Sequence, residues 1–234
     1  EVHLDVPVCA LLSIGLIGDE NKVPQLSEWL ETGKIGREKL SDLEKSWVVA
    51  ALGKIGHPDA LKPISKVLRE KGRYAKRSAA IAIGQIAKQT DQDEQLKFCK
   101  MLAQFHKAES DLTAKNYALI ALGRIGGDAN ASDKVRDAVK SFLKKAYKES
   151  NKTTERPFAA LAMGLLGFDA AAGTPKPQAL KEELAAAIRP DLQATKGDKT
   201  ALGALAVSLG MLKDKGSVKL LQKILKDRGM DKKL

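Results

Sequence analysis

Aromatic side chains are scarce in this chain: 2 Trp, 3 Tyr and 5 Phe make up 4% of its 234 residues. A core must therefore be built from smaller groups. A sequence-tolerant binder of single-stranded nucleic acid, which stacks bases on aromatic rings, has little to work with here. Cysteine is nearly absent too. Cys9 and Cys99 supply neither a disulfide framework nor a CxxC pair for zinc, and both fall in apolar helical patterns where buried thiols are expected. His3, His57 and His106 are scattered along the chain, so no metal centre is expected. HExxH, phosphate-loop, dinucleotide-glycine and nucleophile-elbow patterns are all missing, and the expectation is a protein that is not an enzyme and uses no cofactor. No apolar run approaches the roughly 18–20 residues of a membrane span, which favours a soluble protein, with the cytoplasm as the preferred compartment.

What the chain has instead is repetition. Tyr117–Gly127 (YALIALGRIGG) is rewritten at Trp47–Gly56, Ser78–Ala87 and Phe158–Gly167, with looser copies at Cys9–Gly18 and Leu205–Lys213. Aligning the six on one glycine gives Gly15, Gly53, Gly84, Gly123, Gly164 and Gly210, at intervals of 38, 31, 39, 41 and 46 residues. In the central copy Ala118, Ala121, Leu122 and Ile125 lie at the three- and four-residue spacings of one helical face. Alanine or serine stands two residues before every anchor. A glycine costs a helix roughly 1 kcal/mol against alanine, so one that recurs points to close helix packing. The second glycines, Gly18, Gly56, Gly126 and Gly167, read as helix C-terminal caps.

A polar break and a second amphipathic run follow the phrase, as at Ala60–Glu70, Lys134–Lys148 and Val218–Lys226. Helix, turn, helix at this period is the unit of an α-solenoid, in which stacking supplies the core that no single unit can build. The expected fold is all-α, a superhelix of about six antiparallel helix pairs in one domain over 1–234. The units run about 1–36, 37–72, 73–109, 110–150, 151–194 and 195–234. The chain does not begin with Met and its first unit has no polar capping helix, which favours a piece of a longer protein.

The phrase resembles the HEAT repeat, an armadillo-like unit, in the short form shared with phycobilisome lyase-like proteins. That pattern places a basic residue eight before the anchor, where Lys45, Lys76, Lys115 and Arg156 stand. Pro7 and Leu202 take that place in the terminal copies, and Lys213 replaces the last second glycine. The resemblance covers the whole chain and speaks to fold, because its residues build a core and not a site.

Local signals place the remaining elements. Ser41-x-x-Glu44 is a capping box, Asp91-x-x-Glu94 starts another helix, and Asn130 or Ser132 caps the long Lys134–Lys148 helix. Gly33–Gly36 breaks the chain, His57-Pro58 turns it, and His106 sits late in a helix. The segments Ala170–Pro177 and Pro190–Asp198 read as loops flanking a helix at Ala179–Ile188.

Charge is the one feature that points to function. The net charge is +11, yet residues 1–60 hold 10 acids and 6 bases, so residues 61–234 carry +15. Lys66, Lys97 and Lys223 lie thirteen after their anchors, and Lys62 and Lys219 nine after theirs. With Lys100, Lys140 and Lys144 they form a candidate basic stripe on the second helices, which commonly line the concave surface of such solenoids. Glu28 and Glu182-Glu183 interrupt it. Solvated helix faces are often lysine-rich, and that plain reading stands beside the functional one. The functional reading is a non-catalytic, monomeric scaffold that binds a protein or peptide with an acidic surface on its concave face. An anionic membrane surface or nucleic-acid phosphate is the other kind of target such a stripe would suit. The alternatives are a nucleic-acid binder akin to HEAT-like DNA glycosylases, and a lyase or chaperone-type accessory of a cofactor protein. The first lacks an aromatic-and-carboxylate cleft. Trp29, Trp47 and Phe142 read as core, leaving Tyr74 as the exposed exception.

Overall fold

The computed structural model describes residues 5–151, 153–168, 175–195 and 198–226. Twelve α-helices alternate through them. The first helices of the pairs are α1 (Asp5–Ile17), α3 (Asp42–Ile55), α5 (Tyr74–Ile86), α7 (Leu112–Gly127), α9 (Arg156–Phe168) and α11 (Lys199–Met211). Their partners are α2 (Val23–Thr32), α4 (Leu61–Val67), α6 (Gln92–Ala108), α8 (Asp133–Glu149), α10 (Pro175–Ala194) and α12 (Val218–Lys226). Each first helix packs on the next one along the chain, and a second layer runs beside them with α2 against α4 and α6 against α8. This is the expected all-α solenoid.

Helix starts follow their sequence signals. Ser41 Oγ accepts from the Glu44 N–H at 3.2 Å, and Glu44 Oε2 accepts from the Ser41 N–H at 2.8 Å, closing the capping box of α3. Asp91 caps α6, Asp111 caps α7, and Ser132 rather than Asn130 caps α8. The break at Gly33–Gly36 is a small antiparallel hairpin, β1 (Lys34–Ile35) with β2 (Glu38–Lys39).

One contact repeats along the first layer. A Cβ placed on Gly15 would lie 2.9 Å from the Ala51 Cα, on Gly53 2.8 Å from the Ala82 Cβ, and on Gly84 2.7 Å from the Ala121 Cα. On Gly123 it would lie 2.9 Å from the Ala162 Cα, and on Gly164 3.1 Å from the Ser208 Cα. In every case the receiving residue stands two before the next anchor. The small residue and the glycine are therefore two halves of one joint, and both are buried. Gly210, the last anchor, is exposed and meets nothing.

Three expectations need correction. Gly18 and Gly56 do end helices in the left-handed region, with φ of 73° and 85°, but Gly126 and Gly167 lie inside α7 and α9. There the missing side chain makes room for residues of other elements: a Cβ on Gly126 would sit 2.9 Å from Val139 of α8, and one on Gly167 would run into Leu212, just after α11. The second predicted loop begins too early, because α10 continues through Pro190 to Ala194. Buried Ile188 and Leu192, on either side of the proline, hold the helix together despite the lost hydrogen bond. Its start precedes Ala179, at Pro175, while residues 170–174 of the first predicted loop lie outside the described residues. Cys9 is exposed, not buried, since among the described residues no helix covers that face of α1; Cys99 is buried as expected, and burial pushes its thiol up to about 12.

The joint makes a prediction with an internal control. Gly123→Ala should lower the unfolding free energy by about 1–3 kcal/mol through overpacking. Gly210→Ala, in open space, should raise it by up to about 1 kcal/mol. Chemical denaturation at low protein concentration checks the opposite signs.

Candidate partner-binding groove on the second helices

All eight stripe lysines fall on the second layer: Lys62 and Lys66 on α4, Lys97 and Lys100 on α6, Lys140 and Lys144 on α8, Lys219 and Lys223 on α12. Their electrostatic situations differ. Lys66 Nζ stands 2.5 Å from Glu31 of the preceding unit. Lys140 and Lys144 reach Glu183 of the following unit at 3.2 and 2.6 Å, and Lys140 also reaches Asp137 at 3.3 Å. The Lys144 hydrogen bond holds the Glu183 carboxyl below its usual range against partial burial, with Lys140 adding to it. Glu183, which looked in the sequence like an interruption of the stripe, neutralises its middle. Lys62, Lys97, Lys100, Lys219 and Lys223 carry no ion pair among the described residues.

Lys97 and Lys100 meet other cations. They line an open groove of ≈ 620 Å³ with Asp93, Leu96, Met101 and Gln104 of α6, Arg69 beyond α4, and Lys134 and Ala138 of α8. Arg69 and Lys134 likewise make no ion pair among the described residues, so four cations face one carboxylate. Leu96 and Met101 are half-buried against the core and give the groove an apolar floor. The sequence register missed Arg69 and Lys134 because they lie sixteen and eleven residues after their anchors, out of step with the stripe. The short α4 and the long α8 bring them there.

The basic residues eight before the anchors have a different role. Lys45 pairs with Glu70 at 2.5 Å, Lys76 with Glu109 at 2.7 Å, Lys115 with Glu155 at 2.6 Å and Arg156 with Asp191 at 3.3 Å. The first three tether the start of a first helix to the chain leaving its partner, and Arg156 ties the start of α9 to the last turn of α10. Burial opposes ionisation of Glu109, but the Asp111 N–H and the Lys76 ammonium outweigh it and hold the carboxyl low. Asp191 also accepts from the Tyr147 hydroxyl at 2.7 Å, and Arg77 clamps the capping Asp111 through two bonds at 2.9 and 2.7 Å. These cations are structural.

His57 caps a 3₁₀ turn, its Nδ1 accepting from the Asp59 N–H at 3.3 Å. His106 is buried edge-on against Phe142, with ring centroids 5.6 Å apart, so packing rather than the end of α6 governs it. Among the described residues, no cluster of His, Cys, Asp and Glu could hold a metal ion, and no helix is long and apolar enough to cross a membrane. Tyr74 is exposed, but Arg73 and Arg77 stand over its ring at 5.1 and 5.7 Å.

Comparison with known proteins fits this architecture. Residues 45–70 match the PBS lyase HEAT-like repeat. That stretch runs from Lys45, the basic residue of the second unit, to its ion-pair partner Glu70, and so takes in a complete tethered pair. A designed armadillo repeat protein is similar over 91% of this chain and 95% of its own, with a TM-score of 0.50 and 16% identity. The likeness is one of fold. No curated protein matches.

His106 gives a test of the packing. Burial, then the Lys115 charge, holds its imidazole below the ordinary value of 6.5, with Lys107 adding to the effect and Glu155 opposing it. A depressed folded-state value means that stability is full above about pH 6.5 and is lost as pH falls through it. His106→Leu should therefore lose less stability than the parent between about pH 7 and pH 5, as read by urea midpoints across that range.

Proposed function

We propose that this chain is a non-catalytic scaffold, a single array of six units, that seats an acidic protein or peptide segment along its second-helix face. In solenoids of the HEAT type the second helices commonly line the concave surface, which supports reading that face as the concave one. The observation that carries the reading is the groove between α4, α6 and α8: Arg69, Lys97, Lys100 and Lys134, without an ion pair among the described residues, over the floor of Leu96 and Met101. Unpaired cations around an apolar floor suit a segment that presents carboxylates beside one or two apolar side chains. The charges steer encounter and set specificity, and the floor supplies desolvation.

The wider stripe narrows accordingly. Lys66, Lys140 and Lys144 hold neighbouring units together, and Lys62, Lys219 and Lys223 lie outside the groove. Nucleic acid is the weaker partner, since phosphate binding alone would be satisfied by the groove but no free aromatic platform accompanies it. The accessory-lyase alternative has only the repeat type in its favour.

The double variant Lys97→Glu, Lys100→Glu should weaken the acidic partner by tenfold or more, about 1.4 kcal/mol. Lys219→Glu, Lys223→Glu should leave it unchanged. Pulldown from the source lysate, followed by crosslinking of the captured protein, checks both the loss and the contact residues. Loss of nucleic acid in place of a protein would move the assignment to the phosphate backbone, and an unchanged catch would overturn the groove.

A further inference from the structure

The basic groove lies on a seam that runs further along the second layer. On α6, Asp93, Lys97, Lys100, Gln104 and Lys107 follow one another at three- and four-residue spacings and form one exposed stripe. On α8, Lys134, Ala138, Phe142, Lys145 and Glu149 keep the same spacings. The two helices pack on each other, and their stripes meet in two hollows. The first is the groove, where Lys97 and Lys100 share a lining with Lys134 and Ala138. The second, of ≈ 180 Å³, brings Lys107 together with Phe142 and Lys145. From Lys97 to Lys107 the helix rises about 15 Å.

The second hollow repeats the chemistry of the first. Lys107 makes no ion pair among the described residues, and its ammonium stands 5.9 Å from the centre of the half-buried Phe142 ring. Lys145 reaches Glu149 at 3.9 Å with side chains 63% and 64% exposed, and so open a pair holds it loosely. Lys115 and Glu155 also line the hollow but are engaged with each other at 2.6 Å. The acids of the two stripes, Asp93 and Glu149, stand at opposite ends of the seam, with five lysines between them.

We propose that the hollow at Lys107, Phe142 and Lys145 is a second seat for the acidic segment that occupies the groove. One stretch of the partner protein then lies along the α6–α8 seam and sets an acidic residue beside an apolar one in each hollow. This second seat rests on the groove reading and adds length and spacing to it. The two acidic–apolar clusters are separated by about 15 Å, or roughly four or five residues of extended chain. Once one cluster is seated, the other binds as an intramolecular step, and affinity rises through the tether between them.

Two peptides with acetylated and amidated ends test this. Glu-Leu-Glu fills one hollow at a time, and Glu-Leu-Glu-Gly-Gly-Glu-Leu-Glu carries two clusters at the required spacing. Buried His106, in the wall of the second hollow, is the reporter, and loss of its ring signals in His106→Leu assigns them in the NMR spectrum. Its imidazole is held below the ordinary value of 6.5. At about pH 7.5 it is therefore neutral, and a shift reports the occupant. The longer peptide should bind the parent at least about tenfold more tightly than the shorter and move the His106 signals. The double variant Lys107→Gln, Lys145→Gln, with its fold checked by circular dichroism, should lose both effects and keep the groove binding. Equal affinity for the two peptides, or unmoved His106 signals, would overturn the second seat alone if Lys97→Glu, Lys100→Glu still weakens both. Binding indifferent to that groove variant, or no binding by either peptide, would overturn the groove reading and the second seat with it.

Discussion

Two helices can approach this closely only where neither carries a large side chain between them. In this chain that condition is met by a glycine on one helix and an alanine or serine on the next, five times over. Everything else in the fold accommodates that approach. The small contact brings the first helices close enough for apolar residues two and five positions away to bury each other. It also explains how a chain with so few aromatic side chains builds a continuous core. Glycine weakens each helix locally, and stacking compensates through burial, so the helices depend on their neighbours more than on their own propensity.

The second layer is assembled by different forces. Its helices are amphipathic, and their polar faces are bridged by long side chains rather than by backbone contact. Lys66 reaches back to Glu31, and Lys140 and Lys144 reach forward to Glu183. Such exposed pairs contribute little stability individually, but they decide which cations remain available. The groove lies where this bridging stops. Around α6, among the described residues, no acid of a neighbouring unit answers Lys97 and Lys100, and Arg69 and Lys134 enter from either side.

The array is thus tightly joined on one side and electrostatically uneven on the other. The tethers eight residues before the anchors belong to the first category despite their charge. Lys76 sits against the largely buried carboxylate of Glu109, which also accepts from the Ser110 and Asp111 N–H groups, and Lys115 sits against that of Glu155. Counting lysines would merge these with the groove cations, although they answer to different constraints: one group closes a turn, and the other faces solvent.

The sequence by itself determined the rhythm of the fold. Anchor glycines, small residues two before them, tethering bases and the Ser41, Asp91 and Asp111 caps are set by local spacing and recur with each unit, so periodicity exposes them. Where a second-helix residue meets something far along the chain, periodicity is silent. Gly126 and Gly167 look like caps and are packing sites, because Val139 and Leu212 arrive from other helices. Pro190 looks like a helix end and is not, because Ile188 and Leu192 on either side of it are held in the core. Only the tertiary structure decided which lysines are engaged and which are free, since Glu31 and Glu183 reach them from adjoining units. It alone showed the groove, which three units share.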